Sequence, residues 1–356
     1  MKEIVFISDG LSQPRNIKRV TSLLNAGFKV KVYGYNRGKY DVNKYPSEVT
    51  PIVLGIFGDG NGYLNKFKAL KHDVARIVRD NGKDVLYYAF GILAAYMLKQ
   101  KGCKYVYEIS DILYAYPRFR FVLPLLKWMD RSIIDRAQLV VMTSEGFADF
   151  HGLRSDKLVL LPNKVNSALS STKRTPLEIK EKDRIRFAFV GAIRYETTFR
   201  IAETIGKKYP NFEFHFYGGT KISLERCQSL DRTYPNVFYH GAYRNPEDVP
   251  GIYNSLEVVV ACYDTNSLNE KIAEPNKLYE ALYFCKPIVV AMDTFLSKQV
   301  SKYECGYSID GSSIESIENF LNSIDYKDLN RISRHEYELN GDDFVDNAQI
   351  LIEKIK

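Results

Sequence analysis

Two series of short strand-like runs, each run separated from the next by a segment with apolar residues at helical spacing, constrain this chain more than any other feature. The first series comprises Ile4 to Ser8, Lys29 to Tyr35, Pro51 to Phe57, Val85 to Phe90, Tyr105 to Ile109, Leu139 to Thr143 and Leu158 to Leu161. The second comprises Arg186 to Val190, Phe212 to Tyr217, Val237 to His240, Glu257 to Cys262, Ile288 to Ala291 and Tyr307 to Ile309. Strands that alternate with helices predict mostly parallel sheets with helices on both faces, an α/β fold. A chain of 356 residues exceeds the usual size of one hydrophobic core, so two domains are expected. The first is placed at 1–165 and the second at 184–335, with a linker over 166–183, where the apolar rhythm gives way to Ser, Thr, Lys and Glu. Residues 336–356 are expected to form a C-terminal helix that packs back toward the first domain. A ligand site is expected in the cleft between two such domains.

Composition narrows the setting. No apolar stretch reaches the ~20 residues of a membrane-spanning helix, and the N-terminus runs directly into a strand without a signal-peptide core. A cytoplasmic location follows as the expectation. The five cysteines are scattered and form no Cys-x-x-Cys pair, and the five histidines lack metal-ligand spacing, so neither structural zinc nor a catalytic metal is expected. A net charge of +7 suits anionic partners in general, and no nucleic-acid partner is expected. Neither domain carries Gly-x-Gly-x-x-Gly after its first strand, which argues against a dinucleotide oxidoreductase.

Chemistry concentrates between Glu257 and Met292. An apolar run ends at Cys262, a polar loop follows, Pro275-Asn276-Lys277-Leu278-Tyr279-Glu280 opens a helix, and Pro287 to Ala291 forms the next strand. This order is a β-α-β crossover whose helix N-terminus lies at the carboxyl edge of the sheet, where open α/β folds bind ligands. A lysine in a first helical turn opposes the macrodipole, so Lys277 makes sense if it meets an external anion there, phosphate above all. Glu280, three residues on, shares its helix face. The first-turn amides of Asn276 and Lys277 could also hold phosphate or sugar.

The motif Phe189-Val190-Gly191-Ala192-Ile193-Arg194-Tyr195, with Pro275 to Leu282 and Cys285-Lys286-Pro287-Ile288-Val289-Val290, resembles the GT-B glycosyltransferases of glycosyltransferase family four. Pro14-Arg15 and the run Leu23 to Val30 are similar to that family's first helix and second strand. The resemblance implies two Rossmann-like parallel-sheet domains facing a central cleft. It also implies metal-independent transfer of a sugar from a nucleotide-sugar donor, with retention, to a glycan or lipid-linked acceptor in surface polysaccharide biosynthesis such as capsule or O-antigen. No cofactor beyond the donor is implied. Arg194 and Lys277 are then the cations that stabilise the leaving diphosphate. Glu280 binds the ribose, and Asn276, Glu274, Gly218, Gly219, Tyr243 and Arg244 complete the donor side. Arg15 and Asp111 are assigned to the acceptor side, with Asp111 orienting or deprotonating the acceptor hydroxyl; an Asp in that place could equally cap the next helix. The sequence departs from the family pattern at Ile272, where many members have a glutamate that contacts the transferred sugar.

Residues 112–136 mix Leu113, Tyr114, Tyr116, Phe119, Phe121, Leu125, Leu126 and Trp128 with Arg118, Arg120, Lys127, Arg131 and Arg136. Such a segment could seat the protein peripherally on the inner face of the cytoplasmic membrane, near a polyprenyl-diphosphate-linked acceptor. An amphipathic helix packed on its own sheet explains the same pattern. Two further readings stay open, a nucleotide-sugar epimerase on the same scaffold and a non-catalytic sugar-nucleotide-binding protein.

Overall fold

The computed structural model describes residues 2–37, 44–57, 63–115, 121–220 and 222–356. Its strands are β1 (Glu3–Ser8), β2 (Lys29–Asn36), β3 (Ile52–Ile56), β4 (Leu86–Phe90), β5 (Lys104–Ile109), β6 (Leu139–Met142), β7 (Leu158–Leu160), β8 (Ile185–Gly191), β9 (Phe212–Gly218), β10 (Val237–Gly241), β11 (Val258–Ala261), β12 (Ile288–Ala291) and β13 (Gly306–Ile309). The helices are α1 (Pro14–Asn25), α2 (Tyr63–Asn81), α3 (Ile92–Gln100), α4 (Leu123–Arg136), α5 (Glu145–His151), α6 (Glu196–Lys208), α7 (Leu224–Thr233), α8 (Val249–Asn254), α9 (Leu268–Ile272), α10 (Asn276–Phe284), α11 (Phe295–Tyr303), α12 (Ile314–Ser323), α13 (Tyr326–Glu338) and α14 (Gln349–Ile355).

The strands form two sheets, β3-β2-β1-β4-β5-β6-β7 and β10-β9-β8-β11-β12-β13. Every pairing in both is parallel. In each sheet the chain winds outward from a central strand and then resumes on its other side, between β1 and β4 and between β8 and β11. The strand order reverses there, which is where doubly wound sheets leave a ligand crevice at their carboxyl ends.

The chain divides into two compact units, 1–161 with 347–356, and 162–346. The second sheet is apolar on both faces. Phe187, Phe189, Phe214, Phe216, Val258 and Val260 pack against α6, α7 and α12, while Ala188, Val190, Val259 and Ala261 pack against α8, α10 and α11. Burying each of these phenylalanines and valines is worth about 1.5–3 kcal/mol, so this double layer fixes where the strand ends, and hence the loops after them, must lie. In the first unit α1 is tied to the sheet by a buried ion pair, Arg19 Nε to Glu108 Oε2 at 3.0 Å, and the Tyr88 hydroxyl donates to the same carboxylate.

The boundaries differ from the sequence expectation at two places. The segment 166–183 is not an exposed linker but part of the second unit. Leu177 and Ile179 are buried in its core, the Leu177 amide donates to Ser333 Oγ at 2.8 Å, and Ile179 exchanges backbone hydrogen bonds with the Asn330 side chain. The Arg174 guanidinium donates to the carbonyls of Tyr283, Glu336 and Leu339. Polar side chains that grip backbone groups of α10 and α13 hold this stretch, so its sparse apolar pattern reads as a linker. Residues 336–356 are likewise not one helix. Glu336 to Glu338 finish α13, a 3-10 turn covers Gly341–Phe344, and Val165 pairs with Val345 before α14 begins. Only Ala348, Leu351, Ile352 and Ile355 enter the core of the first unit.

Candidate active site

The carboxyl ends of β8 and β11 sit side by side in the second sheet, and the side chains singled out by the motif gather above them. The β8 strand ends at Gly191, whose φ of 135° suits glycine, and a Cβ added there would lie 3.0 Å from Lys277 Nζ. The missing side chain lets the lysine lie across the strand end. Lys277 occupies the second position of α10 and is 6% exposed. Its Nζ lies 3.4 Å from Tyr263 Oη and 4.5 Å from the centre of the Phe189 ring. Burial among these rings pulls its ammonium down to about 8; the Glu280 carboxylate offsets this in part, and the Arg194 guanidinium adds to it.

Arg194 is exposed, and its guanidinium donates to Tyr195 Oη at 2.9 Å. The Tyr195 ring stacks on Tyr263 with centroids 4.3 Å apart. The two cations thus flank one aromatic stack, close enough for Arg194 to influence the lysine and both phenols. Two like charges brought this close disfavour each other, and an incoming anion relieves that cost.

Two helices begin at this edge, and their N-termini differ. At α6, Asp264 accepts from the amides of Glu196 and Thr197 at 2.8 and 2.9 Å and from Thr197 Oγ1 at 2.8 Å, so a protein carboxylate already occupies that positive pole. At α10 the cap is Pro275, no side chain among the described residues accepts from the first turn, and no acidic residue lies within it. This second pole, with Lys277 in its first turn, has the electrostatics that favour an incoming anion.

Glu280 is 6% exposed; Asn276 Nδ2 donates to its Oε1 at 2.6 Å and the Tyr253 hydroxyl to its Oε2. Each carboxylate oxygen has a further lone pair, so two held donors leave acceptor capacity for hydroxyls. Arg194, Asn276, Lys277 and Glu280 therefore share one neighbourhood. Tyr243, half-buried after β10, adjoins it through Tyr253. Gly218, at φ 100°, is required by the sheet itself: a Cβ would stand 2.3 Å from Gly191 O, and the Gly219 amide donates to that same oxygen at 3.0 Å.

Two candidates sit differently. Glu274 is turned onto the Tyr279 hydroxyl, which donates to its Oε1 at 2.5 Å. Arg244 is exposed with its guanidinium on Asp248, Nη2 to Oδ1 at 2.6 Å. In the first unit, Arg15 lies half-buried in the first turn of α1 after β1, and its Nε has no hydrogen-bond partner among the described residues. Asp111 is exposed just beyond β5, and the 3-10 turn that follows begins two residues later at Leu113.

Tyr195, Tyr263, Asp264 and Tyr253 are the parts that the sequence reading missed. The signal available was positional, since Tyr263-Asp264 follows β11 after one residue, as Arg194-Tyr195 follows β8 after two. Among the described residues no group of three or more His, Cys, Asp or Glu side chains is placed to hold a metal ion.

Residues 171–338 match the family model described as glycosyl transferases group 1, which contains every element of the site around Lys277. It is a glycosyltransferase of the GT-B fold. The succinoglycan biosynthesis protein ExoL of Rhizobium meliloti (strain 1021) is 23% identical to the glycosyltransferase over 342 residues, 90% of this chain and 84% of that protein. Among solved structures, the sucrose-phosphate synthase of Thermosynechococcus elongatus superposes with a TM-score of 0.75 at 14% identity, covering 100% of this chain and 97% of the other. Anabaena Alr3699/HepE, solved in complex with UDP and glucose, gives 0.67 at 14% identity over 100% and 98% of the two chains. At such identities these two likenesses establish the two-sheet architecture of the glycosyltransferase.

Proposed function

We propose that the protein transfers a sugar from a UDP-sugar to a lipid-linked glycan during surface polysaccharide synthesis, without a metal and with retention. The observation that carries this reading is the pair of cations, Lys277 and Arg194, beside the uncapped N-terminus of α10. A departing nucleoside diphosphate needs fixed positive groups placed where its charge grows, and these need no reorganisation at the moment of transfer. Glu280 takes the ribose hydroxyls, while Asn276 and the first-turn amides hold the diphosphate. In the first unit Asp111 and Arg15 orient the acceptor. The uridine base is suggested by the UDP named in solved relatives of the same fold, and polysaccharide synthesis by the likeness to ExoL.

The acceptor's lipid is suggested by α4. Phe121, Val122, Leu125 and Trp128 are exposed by 83, 44, 62 and 70%, beside exposed Lys127, Arg131 and Arg136. This face suits contact with an anionic bilayer, while Asp130, Ile133 and Ile134 hold the opposite face on the sheet. Tyr116, Arg118, Phe119 and Arg120 lie outside the described residues. No helix among the described residues is long and apolar enough to cross a membrane.

The test is a thermal-shift panel of UDP, GDP and other nucleotides with wild type, Lys277→Ala and Arg194→Ala. A nucleotide at about 100 times its dissociation constant stabilises the fold by roughly 2.7 kcal/mol. UDP should stabilise the wild type and fail in Lys277→Ala, and transfer should fall by orders of magnitude in both variants. Equal shifts in all three proteins would remove these residues from the site. Donor consumption that needs no acceptor would replace transfer by epimerisation.

A further inference from the structure

The edge strand β10 pairs with β9 in a ladder that slips between Tyr239 and Gly241, leaving His240 as the extra residue of a bulge. Bulges re-aim side chains. This one brings His240 against His215 of β9, with His240 Nε2 2.9 Å from His215 Nδ1. The two ring planes differ by 5° and their centroids are 5.2 Å apart. Rings so nearly parallel, with facing nitrogens in contact and centroids well separated, lie edge to edge, so the two nitrogens point at one another in a shared plane.

The other nitrogen of His215, Nε2, lies 3.3 Å from Glu213 Oε2. A neutral imidazole has one N-H, and the carboxylate draws it to Nε2, which leaves Nδ1 as a lone pair aimed at His240. A carboxylate behind an imidazole is the arrangement that fixes the tautomer and raises the basicity of metal-ligating histidines. Tyr217 stacks on the His240 ring at 4.2 Å and Phe238 on the His215 ring at 4.9 Å, holding both in plane. Burial lowers the pKa of both imidazoles, which favours the neutral forms that ligate metals. Glu213, His215 and Tyr217 share the sheet face opposite Phe214 and Phe216, and His240 is exposed to solvent.

We propose that His215 and His240 chelate a divalent transition-metal ion, of the copper, nickel or zinc class, with Glu213 orienting His215. At metal-nitrogen distances of about 2.0–2.1 Å, tetrahedral coordination needs the two nitrogens about 3.3 Å apart. The exposed His240, on an edge strand, has to move outward by about 0.4 Å and turn its ring in its own plane, so that both lone pairs meet at an ion lying off the present line between the nitrogens. Binding replaces the hydrogen bond between the rings, and the His240 proton moves from Nε2 to Nδ1, so no net proton is released. Water fills the remaining positions. The bound ion ties β10 to β9 from outside the backbone ladder, at a place separate from the lysine-centred donor site.

The test titrates the full chain with Cu2+, Ni2+, Zn2+ and Mg2+ by calorimetry, and records the electron paramagnetic resonance spectrum of the Cu2+ form. All five cysteines are buried, so thiols do not compete at the surface. One ion per chain is expected, with Cu2+ tightest, Mg2+ not bound, and nitrogen hyperfine structure from two imidazoles. His240→Ala should abolish the isotherm while leaving the melting temperature of the metal-free protein unchanged. Glu213→Gln should weaken binding by about 10–100-fold. Zn2+ should raise the melting temperature of the wild type and not of His240→Ala. An unchanged isotherm in His240→Ala, no binding of any of the transition ions, or Mg2+ binding as tightly as Zn2+ would each overturn the assignment.

Discussion

Lys277 is costly where it stands. Its ammonium is drawn down to about 8 by burial, from a usual value near 10.5. The unfolded chain therefore binds more protons than the folded one between about pH 8 and 10.5, and the lysine is a penalty present in full below pH 8 that fades as pH rises through that window. Replacing it by Met, which keeps the length and loses the charge, should stabilise the ligand-free protein at pH 7 by up to about 3 kcal/mol. The same substitution should abolish UDP binding. Urea unfolding at pH 7 and pH 10 measures the effect, and the gain must shrink at the higher pH. A Met variant no more stable than wild type at pH 7 would mean that the ammonium is well solvated. In the wild type, UDP affinity should fall above about pH 8 as the ammonium loses its proton, which isothermal titration across pH 7 to 10 would detect. Lys277 and Glu280 stood out in the sequence because a β-α-β crossover with a basic first turn is a local pattern, whereas Arg194 was singled out by the resemblance of its motif to a family. Tyr263 and Asp264 were not, since their roles arise from strands β8 and β11 lying side by side, although Gly191 and Cys262 are 71 positions apart in the sequence.

At the level of elements, the contrast between α6 and α10 decides where an anion can sit. Both start at the same sheet edge, yet Asp264 fills one pole and the other, behind Pro275, has no side-chain cap among the described residues. Sequence spacing locates both helices but cannot tell which terminus the protein satisfies by itself, because the capping carboxylate comes from a distant loop. The α4 helix poses the same difficulty in reverse. Its mixed pattern fits either burial or an interface, and both are present: Asp130 is anchored by the Tyr107 and Tyr114 hydroxyls, while Leu125 and Trp128 face outward. Vesicles containing anionic lipid should sediment the wild-type protein, less so at high salt. The double variant Leu125→Ser, Trp128→Ser should remain in the supernatant with its UDP-induced thermal shift intact. Equal sedimentation of wild type and double variant would count against the membrane contact.

Across the whole molecule, the alternating runs were enough to anticipate two parallel α/β sheets, because strands buried on both faces announce themselves by composition. The unit boundaries were harder to read. Arg174 holds its segment through backbone carbonyls, which no side-chain pattern records, and α14 is too short to show a clear period. Leu351, Ile352 and Ile355, with the smaller Ala348, close the core of the first unit, the three large side chains at about 1.5–3 kcal/mol each. Their sum is comparable with the entire stability of a typical domain, about 5–15 kcal/mol. Deleting 347–356 should therefore unfold the first unit while the second keeps its UDP-induced stabilisation; limited proteolysis followed by mass spectrometry would show cleavage confined to the first unit. Cleavage spread evenly over both units, or no change, would contradict this.

The return of 347–356 to the first unit also orders events during biosynthesis. A ribosome releases residues in sequence, and domains ordinarily settle in the order they emerge. Here the leading sheet leaves the exit tunnel without its seal, and the trailing sheet, complete at residue 346, can close on itself first. Of the two units, the one translated earlier is thus the one completed later, and until then it exposes the apolar surface that 347–356 covers.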